Sequence, residues 1–251
     1  MNPGFPAAFA RGRRTIWRWA FLLALFAGAP FARAATLDVP ATANIFGAGH
    51  SMTPFTGGPD EGVLPPSYDF GFAAGSGLDL TFSSVTGTVI LDVGSGDNSN
   101  DPDGIGAGSS DTSVNSLGGI SGIVAPNAGF LVGVFENDTE PADPAPLRLN
   151  FISIGTNFSD LSPTLNQVFF IGDGLTGDGS GAVQRFHVPI GATRLFLGIA
   201  DAPGYHGDPG GYSDNSGQFS ATFAIVPEPS AIALALIGIS MVSLRLLIRR
   251  R

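Results

Sequence analysis

The sequence predicts an all-β fold, an antiparallel β-sandwich of the jelly-roll kind, set between two apolar ends that are each flanked by arginines. Three observations carry this reading. Short apolar runs, several alternating with period two, recur between stretches rich in Gly, Asp and Asn. The composition, with 36 glycines and 20 phenylalanines, is poor in aliphatic helix formers. No segment of the body carries a helical apolar period over about ten residues.

The N-terminal element is a signal peptide, expected over residues 1–34. Arg11, Arg13, Arg14 and Arg18 form a positive region, and residues 20–29 an apolar one. At about ten residues the apolar stretch is too short to span a bilayer, which argues against a retained anchor. Ala32-Arg33-Ala34 fits the small-x-small cleavage pattern, so signal peptidase is expected to cut between Ala34 and Ala35. The residues after Arg13-Arg14 do not continue a twin-arginine pattern, which points to the general secretory machinery.

Within the body, residues 35–226, strands are expected at 78–82, 88–93, 130–135, 149–154, 168–171, 183–188, 194–199 and 218–225. In Leu78-Asp79-Leu80-Thr81-Phe82 one face is apolar; from Arg194 to Ile199 the apolar side chains nearly run together, as in a buried strand. SGDNSNDPDGIGAG, GDGLTGDGSG and APGYHGDPGGYSDNSG read as turn-rich loops. No internal repeat is evident. The chain contains no cysteine, so an exported body must draw its stability from its core, from metal, or from both.

Charge is uneven. Setting the two ends aside leaves Arg148, Arg185 and Arg194 against 20 acidic residues, a net charge near −17. Nothing in the body would neutralise phosphates, which excludes nucleic acid as a partner, whereas bound cations would relieve the self-repulsion.

The C-terminal element begins at the Pro227-Glu228-Pro229 triplet. An apolar run starts at Ala231 and ends at Ile248, interrupted by Arg245 and followed by Arg249, Arg250 and Arg251. As a helix it would reach about 27 Å, enough to cross a bilayer if Arg245 snorkels to the interface. The terminal arginines would stay cytoplasmic and the body outside. This order of motif, span and basic end resembles the PEP-CTERM sorting signal of exported Gram-negative proteins. The resemblance implies recognition by exosortase, a membrane-embedded protease-transpeptidase. It also implies transient anchoring in the inner membrane before delivery to the cell envelope or extracellular matrix, where extracellular polysaccharide is a prospective partner. Pro227 and Pro229 favour the extended backbone that a protease binds.

Signals for enzyme chemistry are weak, and the chain is expected not to be an enzyme. His50 and His206 sit in Gly-rich loops, and His187 lies between Phe186 and Val188 in a strand, where a structural role is expected. No histidine pair has zinc spacing, no serine sits in a nucleophile elbow, and no two of the many carboxylates are singled out as a glycosidase pair.

Residues 199–219 differ. They concentrate hard oxygen donors, Asp201, Asp208, Asp214 and Asn215, among glycines that leave loop carbonyls accessible; calcium takes six to eight such oxygens. A solvated hairpin loop would have the same composition. Here the D-x-P-G, tyrosine, [DN]-N-S-G-x-F-S pattern resembles the calcium-dependent galactophilic bacterial lectins, small jelly-roll sandwiches in which calcium bridges protein and sugar hydroxyls. The resemblance implies calcium ligands at Asp201, Gly211 (carbonyl), Asp214 and Asn215, with a strand carbonyl near Ile90 or Leu91, and sugar contacts by Asp201 and Asp214. Residues 205–210 form an insertion relative to that family. Asp101-Pro102-Asp103-Gly104 stands where the family's second sugar-contacting loop has His-Pro-Asp-Gln. Asp101 and Asp103 are therefore the corresponding ligand-binding candidates, and galactose specificity is not implied. Two further loops could hold calcium: Ser99-x-Asp101-x-Asp103-Gly104, with partial EF-hand spacing, and the loop holding Asp173 and Asp178. Three readings stay open: a calcium- and glycan-binding module, a structural matrix or biofilm protein with no glycan ligand, and an enzyme acting on polysaccharide.

Overall fold

Alternation becomes pleat in the strand Ser216–Pro227, where Phe219, Ala221 and Phe223 are buried, whereas the strand Val132–Glu136 is buried at all five of its residues. The computed structural model describes residues 33–53, 62–92, 99–105 and 111–227. These lie in one compact unit, Ala32–Arg251. The strands are β1 (Arg33–Pro40), β2 (Ser67–Asp69), β3 (Leu78–Ile90), β4 (Ser99–Asn100), β5 (Thr112–Val114), β6 (Ile123–Ala125), β7 (Val132–Glu136) and β8 (Leu149–Asn150). They continue with β9 (Asp160–Leu161), β10 (Phe169–Phe170), β11 (Leu175–Gly177), β12 (Ser180–Val183), β13 (Arg185–His187), β14 (Arg194–Gly198), β15 (His206–Gly207) and β16 (Ser216–Pro227). One short helix, α1 (Phe151–Ile154), and two 3₁₀ turns, Ile45–Gly47 and Pro203–Tyr205, complete the described secondary structure.

The all-β expectation holds. The main sheet runs β1-β16-β3-β13-β9, with β4 also on β3; a second runs β10-β7-β14-β2, a third β15-β5-β6-β8, and β11 and β12 form a hairpin. The longest pairings are antiparallel, but β13–β9, β15–β5 and β6–β8 are parallel. The main and second sheets meet through aromatic side chains: Tyr68 of β2 lies edge-on to Phe223 of β16 at 5.4 Å, and Phe169 of β10 sits 5.2 Å from Phe186 of β13. Such contacts add to the burial of apolar area that drives the fold.

Several expected elements differ in detail. The run at 78–82 and the first three residues of the run at 88–93 belong to one 13-residue strand, β3, which ends at Ile90. The stretch at 149–154 is a strand for two residues and then α1, because Asn150 caps the turn: its side chain accepts from the Ile152 and Ser153 amides, and only Phe151 is buried. GDGLTGDGSG contains a hairpin, whose Gly177↔Ser180 pair leaves Asp178-Gly179 as a two-residue turn. Gly179 takes φ +60 there, as a tight hairpin turn demands. β1 begins before the expected cleavage bond: Ala34 pairs with Ala224 and Ala35 with Phe223. The remainder of the signal segment, Glu228 and Pro229, and the run from Ala231 to Ile248 lie outside the described residues. Among those described, no helix is long and apolar enough to cross a membrane.

β16 sets the geometry of the main sheet. It lies between β1 and β3 and pairs with both over most of its length, up to Pro227↔Leu78 at one end and Ser216↔Ile90 at the other. The loop from β14 to β16 therefore lies where β3 and β1 end. The chain leaves the ladder at Pro227, at the opposite end of a strand of 12 residues.

Candidate functional site

The loop between β14 and β16 is pinned at its base by Tyr212. Its fully buried hydroxyl donates to the Ile199 carbonyl (3.1 Å) and accepts from the Asp201 amide (3.2 Å). Burial first, and the nearby Asp201 charge second, push that phenol well above its ordinary ionisation range. Asp201 is 3% exposed. Its Oδ1 accepts from the Ala202 amide at 2.8 Å and its Oδ2 from Asn215 Nδ2 at 2.9 Å. Asn215 also donates to the Ala41 carbonyl at 3.2 Å, tying the loop to the segment after β1. The amide oxygen of Asn215 has no hydrogen-bond partner although the residue is only 7% exposed. A buried, unpaired amide oxygen is costly.

Gly211 lies against this pair. It adopts φ +87, and a Cβ placed on it would stand 3.6 Å from Asp201 Oδ2. The backbone conformation, not lack of space, is what calls for glycine. Asp214 is exposed, and it acts with Asp201 and Asp92 on the Tyr205 hydroxyl, whose ionisation is raised by burial first and then by these three carboxylates. The structure thus gathers Asp201, Gly211, Asp214 and Asn215. It also brings the end of β3 beside them, since Ser216, next to Asn215, pairs with Ile90. Asp92, which sequence reasoning missed, belongs to the same group. It sits just past β3 with φ +59, a conformation for which Asp is one of the few tolerant side chains.

Asp101 and Asp103 gather with Asp173 and Asp178 instead. Burial, then the charge of Asp173, pushes the Asp103 carboxyl up to about 7, and Asp101 is also raised, chiefly by burial. The two loops whose calcium-like spacing was legible separately are therefore one cluster. Backbone amides engage oxygens of three of its members: Asp101 Oδ1 accepts from Asp103 and Ile105, Asp103 Oδ1 from Asp173, and the two oxygens of Asp173 from Leu175 and Gly179. A pocket of about 220 Å³ opens beside it, lined in part by Asp103, Asp178, Asn127 and Asn157.

Among the described residues, no three His, Cys, Asp or Glu side chains surround a common point closely enough to hold a metal by themselves. A cation beside Asp201 would need amide and carbonyl oxygens as well, which is the donor mixture calcium accepts. The histidines are engaged elsewhere. His187 Nδ1 lies 2.7 Å from the buried Asp79, with Asp160 on its other side at 3.8 Å. His50 contacts Glu140 and the Gly118 carbonyl, and His206 contacts Asp111.

Compared with known proteins, the chain matches no family model, no curated protein and no solved structure.

Proposed function

We propose that this is an exported, non-catalytic protein of the cell envelope or extracellular matrix, whose jelly-roll-like β-sandwich binds calcium and, through it, the vicinal hydroxyls of a glycan. The carrying observation is the pairing of Asp201 with Asn215, an amide whose oxygen has no partner, at the point where β3 ends and β16 begins. A calcium ion held by Asp201 and Asp214, the Asn215 oxygen, the Gly211 carbonyl and a carbonyl near Ile90 or Leu91 would give that oxygen a partner. It would also offset part of the body's negative charge.

Export and sorting rest on the two ends, read as a signal peptide and a PEP-CTERM signal handled by signal peptidase and exosortase. The fold is compatible with this. β16 carries the chain from Asn215 to Pro227 over about 40 Å at 3.3 Å per residue. A tail anchored after Pro227 would be attached at the end of β16 opposite the calcium loop. Cutting between Ala34 and Ala35 would remove two pairs, Arg33↔Ile225 and Ala34↔Ala224, from an edge strand.

A second reading, calcium used for folding alone with no glycan, is favoured by the burial of Asp201: an ion ligated there has little room for a sugar unless Asp214 and Asp92 leave it open on their side. Titration calorimetry with calcium, thermal denaturation with and without it, and a glycan array test both readings. Calcium binding that raises the melting temperature, together with calcium-dependent glycan binding, supports the first reading; the thermal shift alone supports the second. No calcium response in the parent would sink both.

A further inference from the structure

Residues 205–210 are the part of the site that the lectin resemblance does not account for, and they are firmly held. β15 pairs with β5, the Asn115 amide donates to the Gly207 carbonyl at 2.7 Å, and Asn115 Nδ2 donates to Asp208 Oδ1 at 2.9 Å. The imidazole of His206 contacts both the Gly204 carbonyl and Asp111. The Tyr205 amide donates to the Ala202 carbonyl at 2.7 Å, and Tyr205 itself sits at φ +66, where a bulky residue is strained. The anchoring thus holds one half-buried tyrosine in an unfavourable conformation. Part of it packs against the core, and its hydroxyl lies within the field of Asp201, Asp92 and Asp214.

A pyranose ring has hydroxyls at its rim and a face of C–H groups. Calcium recognises the hydroxyls, and an aromatic ring recognises the apolar face. We infer that Tyr205 is the specificity-determining residue of this site, its ring forming the platform on which the C–H face of a pyranoside rests while calcium at Asp201 and Asn215 engages two vicinal hydroxyls. This rests on the calcium-and-glycan reading above. It assigns to the insertion a sugar contact beyond those that the resemblance implies.

The test uses the full-length protein in detergent, as the parent, Tyr205→Ala, Tyr205→Leu and Tyr205→Phe. Calcium binding is measured by calorimetry, and sugar binding on an array of hexopyranosides with cis and trans vicinal hydroxyls. Tyr205→Ala is expected to bind calcium within about threefold of the parent and to lose about tenfold or more in pyranoside affinity. Tyr205→Phe, which keeps the ring, should retain that affinity. If alanine also weakens calcium binding, leucine decides: it fills the packing space without an aromatic face. Pyranoside loss with leucine and retention with phenylalanine supports the platform. Equal binding by the leucine variant and the parent overturns it. A parent that binds calcium but no pyranoside overturns the platform and leaves the metal site standing; a parent with no calcium response overturns both.

Discussion

Two acidic loop clusters sit in this protein, and they manage their charge differently. Around Asp103, four carboxylates from loops far apart in sequence crowd together, and backbone amides of the same loops bond to oxygens of three of them, Asp101, Asp103 and Asp173. Burial first, and crowding by Asp173 second, push Asp103 towards protonation. Around Asp201 the carboxylate is nearly buried, and one of its partners is a side-chain amide whose own oxygen has no hydrogen-bond partner. The lesson is that carboxylate density does not by itself mark a cation site. A carboxylate can relieve its charge by binding a proton, whereas a buried amide oxygen with no donor takes up no proton at ordinary pH and would be relieved by a cation.

Glu136 is the limiting case and gives the largest expected effect. It is fully buried on β7, and neither of its carboxylate oxygens has a hydrogen-bond partner. Burial pushes it up to about 8 although Arg194, its cross-strand neighbour, pulls the other way. Because the folded value lies above the unfolded one, the stability it contributes is complete below about pH 4.5 and is lost as pH rises through about 8. Glu136→Gln should remove this slope. The stability difference between variant and parent, from denaturant unfolding at a series of pH values, should grow across that window to on the order of 4 kcal/mol. A flat difference profile would show that Glu136 is ionised in the folded protein.

Next in size is Asp201→Ala. It strips the acceptor from a buried amide pair, Ala202 N–H and Asn215 Nδ2, and should cost about 2–3 kcal/mol as well as abolish any calcium-induced rise in melting temperature. Asp173→Ala in the other cluster frees the amides of Leu175 and Gly179, which lie nearer solvent, and should cost about 1 kcal/mol. A greater loss at Asp173 than at Asp201 would reverse the comparison.

A smaller, pH-dependent effect belongs to Asp103. Its folded value near 7 exceeds the ordinary 3.8, so its stabilising contribution is present below about pH 3.8 and is lost as pH rises through about 7. Asp103→Asn should therefore raise the denaturation midpoint at pH 7.5 relative to the parent and leave it nearly unchanged at pH 3.5. The gain should be well below that at Glu136, because Asp103 is only partly buried and solvent screens it. An equal gain at both pH values would mean that crowding does not govern this carboxyl.

How much of this was legible in the sequence varied with the range of the interaction. β14 follows from a nearly continuous apolar run and β16 from local alternation, and the donor-rich loop between them is contiguous, so Asp201, Gly211, Asp214 and Asn215 could be named together. β3 was split because Ser83, Ser84 and Gly87 interrupt its apolar pattern. In the structure Gly87 takes φ +105 where a Cβ would stand 2.2 Å from the Gln218 carbonyl, so the glycine serves the ladder and does not end the strand. The union of Asp103 with Asp173 was not legible, because the two are far apart in the chain and only tertiary packing joins them. Asp92 was passed over because a single aspartate after a strand carries no spacing signal; its left-handed φ is the clue, and that is a property of the fold.

The smallest effect sharpens the comparison most, because it separates charge from architecture. Asp214 is exposed, so Asp214→Asn should leave the melting temperature in calcium-free buffer essentially unchanged, a shift equivalent to within about 0.5 kcal/mol. If calcium is held beside Asp201, the same substitution should weaken calcium binding by about three- to tenfold, because it removes a formal charge from the ligand set while keeping an oxygen donor. Asp178→Asn is the matched control in the cluster around Asp103, where a neutral amide removes the smallest of the charges that raise Asp103 and leaves its burial in place. Calorimetry on the two variants distinguishes the clusters. Weaker calcium binding for Asp214→Asn and no change for Asp178→Asn would locate the ion in the loop before β16, and the reverse would locate it between the loops holding Asp103 and Asp173.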